Sequence, residues 1–206
     1  MISDENTSLK EEMSVVEKEN VDTIECFTKI KLSEEEREYV EQLYPIRTFK
    51  KGTYLLKEGQ ISNTCYYILK GCVRQFYLID GEEKTTFFYT EEQSILENTA
   101  LKNRSKYYLA CVEDTTVSIT TQESEDKLYK RFPRFETMCR MGVQEELNKY
   151  QDMLATYITS SPKERYINIL KNRPDLLERV PQYQLASFLG IKPESLSRIR
   201  KRIMRK

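Results

Sequence analysis

The spacing of the glycines constrains the fold of this chain more than any other feature. Four of its six glycines lie between residues 52 and 81, where they separate short runs of β-branched and aromatic residues. Lys70-Gly71 and Asp80-Gly81 divide the run YYILKGCVRQFYLIDGEEKTTFFY into three strands, and Asp-Gly favours a type I′ hairpin turn. Because no helical segment separates these strands, an antiparallel roll or barrel is predicted from residue 46 to about residue 120.

Helical patterns flank this β region. Ser33 and Glu36 form a capping box, which predicts a short helix that ends at Pro45. Beyond residue 123, apolar residues recur in steps of three and four along one face of a long helix: Phe135, Cys139, Val143, Leu147, Tyr150, Leu154 and Ile158. A stripe of that length must be covered by the roll, by a second copy of the chain, or by both.

Composition excludes several classes of function. The chain has no histidine and no tryptophan, so catalytic triads, histidine-ligated metals and the oxygenase or isomerase sites found on some β-rolls are not expected. Its five cysteines are scattered and none lies in a CxxC pair: Cys26, Cys65, Cys72, Cys111 and Cys139. We therefore expect reduced thiols, no metal, no cofactor and no enzymatic activity. The chain also lacks a membrane-spanning stretch and a secretory signal pattern, which predicts a cytoplasmic protein without a membrane partner.

The zero net charge hides an asymmetry between the two ends. Residues 1–25 hold eight acidic and two basic side chains, whereas residues 161–206 hold twelve basic and four acidic ones. The acidic start has too few apolar residues for a sustained helix face, so we expect a disordered tail. The basic end indicates that only the C-terminal part meets a polyanion.

A motif within this basic end indicates a function for its positive charge. Ser161, Pro162 and Glu164 predict the start of a helix that ends before Pro174. The segment LASFLGIKPESLSRIRK then has the spacing of a helix-turn-helix: small Ala186 where two helices cross, and Gly190 in the turn. Its apolar positions fill the core between the helices: Leu185, Leu189, Ile191, Leu196 and Ile199.

The outward face of the second helix carries donors suited to double-stranded DNA. We predict base contacts by Glu194, Ser195 and Arg198. Phosphate contacts are predicted for Lys192, Ser197, Arg200, Lys201 and Arg202.

Residues 30–206 resemble a Crp/Fnr-type bacterial transcription regulator. KKGTYLLKEGQ is similar to the segment that opens the family's roll, and LASFLGIKPESLSRIRK is similar to its DNA reader. The resemblance implies an α+β fold with an antiparallel cyclic-nucleotide-binding-like β-roll (a double-stranded β-helix), a long dimerisation helix and a C-terminal helix-turn-helix. It also implies a homodimer on near-palindromic operators, with RNA polymerase as a further partner.

The resemblance divides the chain into four parts. These are the acidic tail (1–29), a sensor roll (30–133), a dimerisation helix (134–159) and a DNA-binding domain (160–206). Family recognition helices often carry Arg-Glu-x-x-x-Arg. Glu194 and Arg198 match its last two positions, but Pro193 replaces the first arginine. We therefore expect an operator different from the one best known for the family. The segment from 172 to 180 is too short for the family's full β-wing.

The effector side departs further from the family pattern. Members that bind cyclic AMP carry a Gly-Glu pair for the ribose and, about ten residues later, an Arg-Ser/Thr-Ala run for the phosphate. Arg104-Ser105 matches the start of that run, but Lys106 replaces its small residue, and Ser94 stands ten residues before Arg104. If Glu97 is the ribose acid, Tyr107 falls at the phosphate position.

The candidate effector residues are therefore Glu97, Arg104, Ser105 and Lys106. Cyclic-nucleotide binding is disfavoured, while an unknown anionic small-molecule effector and the absence of any effector both stay open. The alternative function is a ligand-binding roll that regulates a protein partner rather than DNA.

Overall fold

A computed structural model of the chain describes residues 31–96 and 103–204. The predicted acidic tail and the candidate effector residue Glu97 lie outside these residues. The described part begins with helix α1 (Glu34–Leu43), whose Ser33 cap accepts from the Glu36 N–H while the Glu36 carboxylate accepts from the Ser33 N–H. The predicted capping box is thus present.

Eight strands follow along the chain. They are β1 (Ile46–Phe49), β2 (Tyr54–Leu56), β3 (Thr64–Lys70), β4 (Val73–Ile79), β5 (Glu82–Tyr89), β6 (Ser94–Ile95), β7 (Tyr108–Cys111) and β8 (Thr115–Thr121). One sheet has the order β1-β8-β3-β6 and the other β2-β7-β4-β5, with antiparallel pairing throughout. The predicted antiparallel roll is confirmed.

Both predicted turns occur. Asp80 and Gly81, between β4 and β5, have φ of 52° and 78°, the double positive φ of a type I′ turn. Gly71, between β3 and β4, has φ of 110°, and a Cβ atom there would lie 2.6 Å from the Thr115 Cα. Only glycine fits at this position, because the backbone of the facing loop leaves no room for a side chain.

Six helices complete the described fold. They are α2 (Gln122–Arg131), α3 (Arg134–Thr159), α4 (Pro162–Asn172), α5 (Leu176–Arg179), α6 (Gln182–Phe188) and α7 (Pro193–Met204). Helix α3 has the bounds predicted for the dimerisation helix, and Ser161 caps α4 through the predicted box with Glu164. Where the family's wing would stand, residues 173–181 form only the short helix α5.

Three buried clusters hold the described residues together. Inside the roll, residues such as Leu56, Ile68 and Leu109 pack between the two sheets. A second cluster joins α1, α2 and the start of α3 through Val40, Leu128 and other residues. The third extends from the roll into the C-terminal helices, so the helix-turn-helix shares a core with the roll. Within the described part of the chain, none of the helices is long and apolar enough to cross a membrane.

Candidate nucleic-acid interface and effector segment

Helices α6 and α7 cross around a tight turn with the predicted geometry. Ala186, Leu189 and Leu196 are almost completely buried between them. At the end of α6, the Gly190 N–H donates to the Ser187 carbonyl and the Ile191 N–H to the Ala186 carbonyl, each over 3.0 Å. These are the two bonds of a Schellman motif, which needs a left-handed residue at the position of Gly190.

Gly190 supplies that conformation and also allows a close approach. Its φ is 69°, and a Cβ atom there would lie 2.5 Å from the Tyr157 hydroxyl of α3. Glycine at this position therefore lets the turn of the motif pack against the end of the long helix.

The residues predicted to contact bases lie together on α7. The Arg198 guanidinium donates to the Ser195 hydroxyl over 3.2 Å, while Glu194 lies one turn before Arg198 and is exposed. In an α-helix, residues three and four apart share a face. The structure therefore brings Glu194, Ser195 and Arg198 to one outward surface.

The residues predicted to contact phosphates divide into two groups. Lys192, Ser197, Lys201 and Arg202 are exposed. Arg200 is half-buried and donates to the Gln182 side-chain oxygen over 2.6 Å. Gln182 begins α6, so this bond ties the two helices and orients the guanidinium, which retains further N–H donors.

The helix-turn-helix is held against the roll through β5. The Ser187 hydroxyl of α6 donates to the Glu83 carbonyl over 3.0 Å and accepts from the Thr85 N–H over 2.9 Å. Phe188 contacts Phe88 edge-on, with 5.4 Å between ring centroids. Nothing in the sequence distinguishes Ser187 from other small polar residues, so this contact was not predictable from the sequence.

Arg179 makes the second connection between the two regions. Its guanidinium pairs with Glu91 over 2.7 Å and with Glu113 over 2.5 Å, which raises the pKa of Arg179. Burial alone would raise the pKa of Glu91, but hydrogen bonds from Arg179 and from the Gly71 N–H bring it below its ordinary value. Short helix α5 thus places one arginine between two carboxylates of the roll, a contact between residues too distant in sequence to be predicted from it.

The candidate effector segment is bonded to its own domain. The Arg104 guanidinium donates to the Gly59 carbonyl over 2.7 Å, and the Ser105 N–H donates to the Gln60 carbonyl over 2.7 Å. The Ser105 hydroxyl donates to the Tyr107 carbonyl and accepts from the Tyr107 N–H. Lys106 is exposed. The backbone N–H groups of Ser105 and Tyr107, which an anion would need here, already have partners within the protein.

Burial differs among the cysteines of the described residues. Cys72 and Cys111 are buried, whereas Cys65 and Cys139 are half-buried. Burial raises the pKa of Cys72 to about 12 and also raises the pKa of Cys111 and Cys139. Within residues 31–96 and 103–204, no group of three or more potential ligands is placed to hold a metal ion.

Known proteins share both the domain and the architecture. The profile of the family described as cyclic nucleotide-binding domain matches residues 46–132. No curated protein has a significant match to the sequence.

Solved structures resemble the chain at low sequence identity. FixK2 from Bradyrhizobium japonicum matches with a TM-score of 0.64 at 17% identity, covering 78% of this chain and 84% of its own. CLP of Xanthomonas campestris, described as a c-di-GMP responsive global regulator, matches with a TM-score of 0.63 at 15% identity, over 84% and 92% of the two chains. The catabolite activator protein of Thermus thermophilus matches with a TM-score of 0.52 at 19% identity, over 87% of both chains.

The resemblance stated from the sequence is thereby confirmed for the fold, which the family profile and these structures share. Residues 46–132 match the cyclic nucleotide-binding domain profile, and the chain shares its fold with these solved structures.

Proposed function

We propose that this chain is a sequence-specific, DNA-binding transcription regulator of the Crp/Fnr type. It acts in the cytoplasm as a homodimer on near-palindromic operators, and its degenerate effector pocket does not serve cyclic AMP. The observation that carries the proposal is the outward face of α7, where Glu194, Arg198 and Lys201 are exposed above the buried Leu196.

Different side chains of α7, and Lys192 just before it, have different roles. Arg198 reads a base, most favourably guanine, because its fork matches the two major-groove acceptors of that base. Glu194 accepts from a cytosine amino group or orients Arg198, and Ser195 already contacts the Arg198 guanidinium. Lys192, Ser197, Arg200, Lys201 and Arg202 contact phosphates, which position the helix without reading sequence.

Dimerisation through α3 is supported by the exposure of its stripe. At the start of the helix, Phe135 is completely buried by the chain's own helices, and Tyr150 packs against Phe87 of the roll. Cys139 is half-buried, whereas four further residues of the stripe are exposed: Val143 by 48%, Leu147 by 55%, Leu154 by 58% and Ile158 by 73%. A second copy of the same helix, packed along this stripe, would bury these side chains.

Selection of bound sequences from random duplex DNA tests the proposal. We expect the recovered sites to be near-palindromic, with half-sites one helical turn apart, because a twofold dimer places two copies of α7 in successive major grooves. Sedimentation should give about twice the 24.5 kDa chain mass. Recovery of random sequences by a protein that stays monomeric at micromolar concentration would contradict the proposal and favour the alternative, a roll that regulates a protein partner.

A further inference from the structure

A cavity of about 430 Å³ lies where the roll, the long helix and the helix-turn-helix meet. It is separate from the segment of Arg104, Ser105 and Lys106, none of which lines it. Residues from four elements line the cavity. They include Thr85 of β5, Met153 and Tyr157 of α3, Arg165 and Arg173 at α4, and Phe188 of α6. This volume is in the range of sites for small organic molecules.

Two buried polar atoms of the lining residues have no hydrogen-bond partner among the described residues. These are the Thr85 hydroxyl oxygen and the Arg165 Nε. Thr85 is only 5% exposed, and a buried polar group without a partner destabilises a fold. The cavity is therefore walled by polar as well as apolar groups.

The charge of the lining residues favours a ligand of one charge over the other. The lining residues include Arg165 and Arg173 and no carboxylate. Arg165 donates to the carbonyls of Tyr157, Ser160 and Leu189. Within the described ranges, neither arginine forms an ion pair.

Arg173 is held at the cavity by neutral acceptors. Its guanidinium donates to the Phe88 carbonyl and the Thr90 hydroxyl. Burial lowers the pKa of Arg173, which the charge of Asp175 offsets only in part. An anion beside this guanidinium would restore the stabilisation that burial removes.

The remaining wall is mainly apolar and aromatic, although Thr86, Thr156, Asn168 and Asn172 also line it. Met153, Leu154, Tyr157, Phe188 and Leu189 provide most of it. A small hydrophilic anion alone would leave this surface without contacts, whereas a ligand with an apolar body would bury it.

We propose that this cavity binds a small amphipathic carboxylate, with an aromatic or aliphatic body against Met153, Tyr157 and Phe188 and its charge toward the arginines. Planar carboxylates match the fork of a guanidinium. Because the lining comes from the roll, α3, α4 and α6, such a ligand contacts four of the elements around the recognition helix. Its binding does not depend on the proposed DNA function and is measured without DNA.

Calorimetry on the full chain tests the site with three probes of one shape. Naphthalene-2-carboxylate, 2-naphthalenemethanol and 2-naphthylmethylamine carry negative, zero and positive charge on the same apolar body. We expect one carboxylate per chain, bound at least tenfold more tightly than the alcohol, and weaker binding still for the amine. No carboxylate binding at millimolar concentration, or equal binding of all three probes, would overturn the proposal.

Variants locate the site and separate it from the exposed stripe of α3. Thr156→Trp and Thr86→Trp place a large side chain at the two walls of the cavity, and we expect at least one of them to weaken carboxylate binding tenfold or more. Asn148→Trp is the matched control, because Asn148 is exposed on the same helix and does not line the cavity. If Asn148→Trp weakens binding as much, or if neither filling variant weakens it, the carboxylate binds elsewhere.

Arg173→Met tests the origin of the charge preference. We expect the carboxylate affinity to fall to that of the alcohol, while the alcohol affinity stays within about twofold, since the alcohol makes no ion pair. A variant that merely disturbed the cavity would weaken both probes alike, and that outcome would contradict the role of Arg173.

Discussion

The two basic segments of this chain differ in what their polar groups contact. Arg104 and Ser105 in the roll donate to carbonyls of the loop around Gly59 and Gln60. Arg198 and Lys201 on α7 are exposed, and the bond from Arg198 stays within its own helix, to Ser195. Similar side chains therefore serve the fold in one segment and are available to a partner in the other.

The backbone explains this difference. A loop has no repeating ladder, so its N–H and carbonyl groups must find partners among neighbouring segments and side chains. In α7, the internal bonds of the helix satisfy the backbone, and the buried Leu196 anchors the inner face. The outward side chains are then free for recognition. A charged side chain is available to bind a partner only where it is not already bonded to other groups of the fold.

Among the variants considered, those that disrupt the dimer should weaken DNA binding by α7 most strongly. Leu147→Glu with Leu154→Glu places two charges on the exposed stripe of α3, and we expect a monomer in sedimentation. Operator affinity should fall by roughly 10²–10⁴-fold, because the second α7 no longer binds as part of the same molecule. The control, Asn148→Glu with Thr159→Glu, adds the same charges at exposed polar positions off the stripe and outside the cavity and should leave the dimer intact. A dimeric double-leucine variant would refute the role of α3.

Arg198→Ala and Arg104→Ala compare the two segments directly. On the selected operator, Arg198→Ala should cost about 1–3 kcal/mol and flatten the preference at one base pair. Arg104→Ala should leave DNA affinity unchanged, because its guanidinium bonds to Gly59 in the roll. Binding to the operator and to its single-base-pair variants measures both effects. If Arg198→Ala changes neither affinity nor preference, α7 does not read DNA as placed here.

Local features of this fold could be predicted from the sequence. The Asp80-Gly81 turn, the Ser33 and Ser161 caps and the helix-turn-helix core depend on residues only a few positions apart. Their residue types determine their backbone geometry directly.

Contacts between distant elements could not be predicted in the same way. Ser187 bonds to β5, more than a hundred residues earlier, and Arg179 pairs with carboxylates of the roll. Such pairings depend on how the domains dock, which no local pattern encodes. The cavity beside Thr85 arises from the same docking. For Arg104 and Ser105, the sequence indicated a possible anion site, but their bonds to Gly59 and Gln60 became visible only in the fold.

A smaller effect should distinguish the residues of α7 that contact phosphates from those that contact bases. Lys201 is exposed and is assigned to a phosphate, so Lys201→Ala should weaken all DNA sequences alike. The slope of log affinity against log salt should decrease by about one unit. Titrations of the operator and of an unrelated duplex at several salt concentrations measure this. A loss confined to the operator would instead make Lys201 a base-reading residue.

The smallest response is expected from cyclic nucleotides, although residues 46–132 match the profile of a domain named for binding them. A cyclic phosphate in the roll would need N–H donors, but the Ser105 N–H donates to Gln60 and the Tyr107 N–H to the Ser105 hydroxyl. Binding would have to break these bonds, and the exposed Lys106 replaces the small residue of the family's phosphate run. Calorimetry with cyclic AMP and cyclic GMP should therefore detect no tight binding, in the wild type as in Arg104→Ala. The opposite result would be sub-micromolar affinity in the wild type and its loss in Arg104→Ala. The roll segment would then be available to a ligand, as the outward face of α7 is.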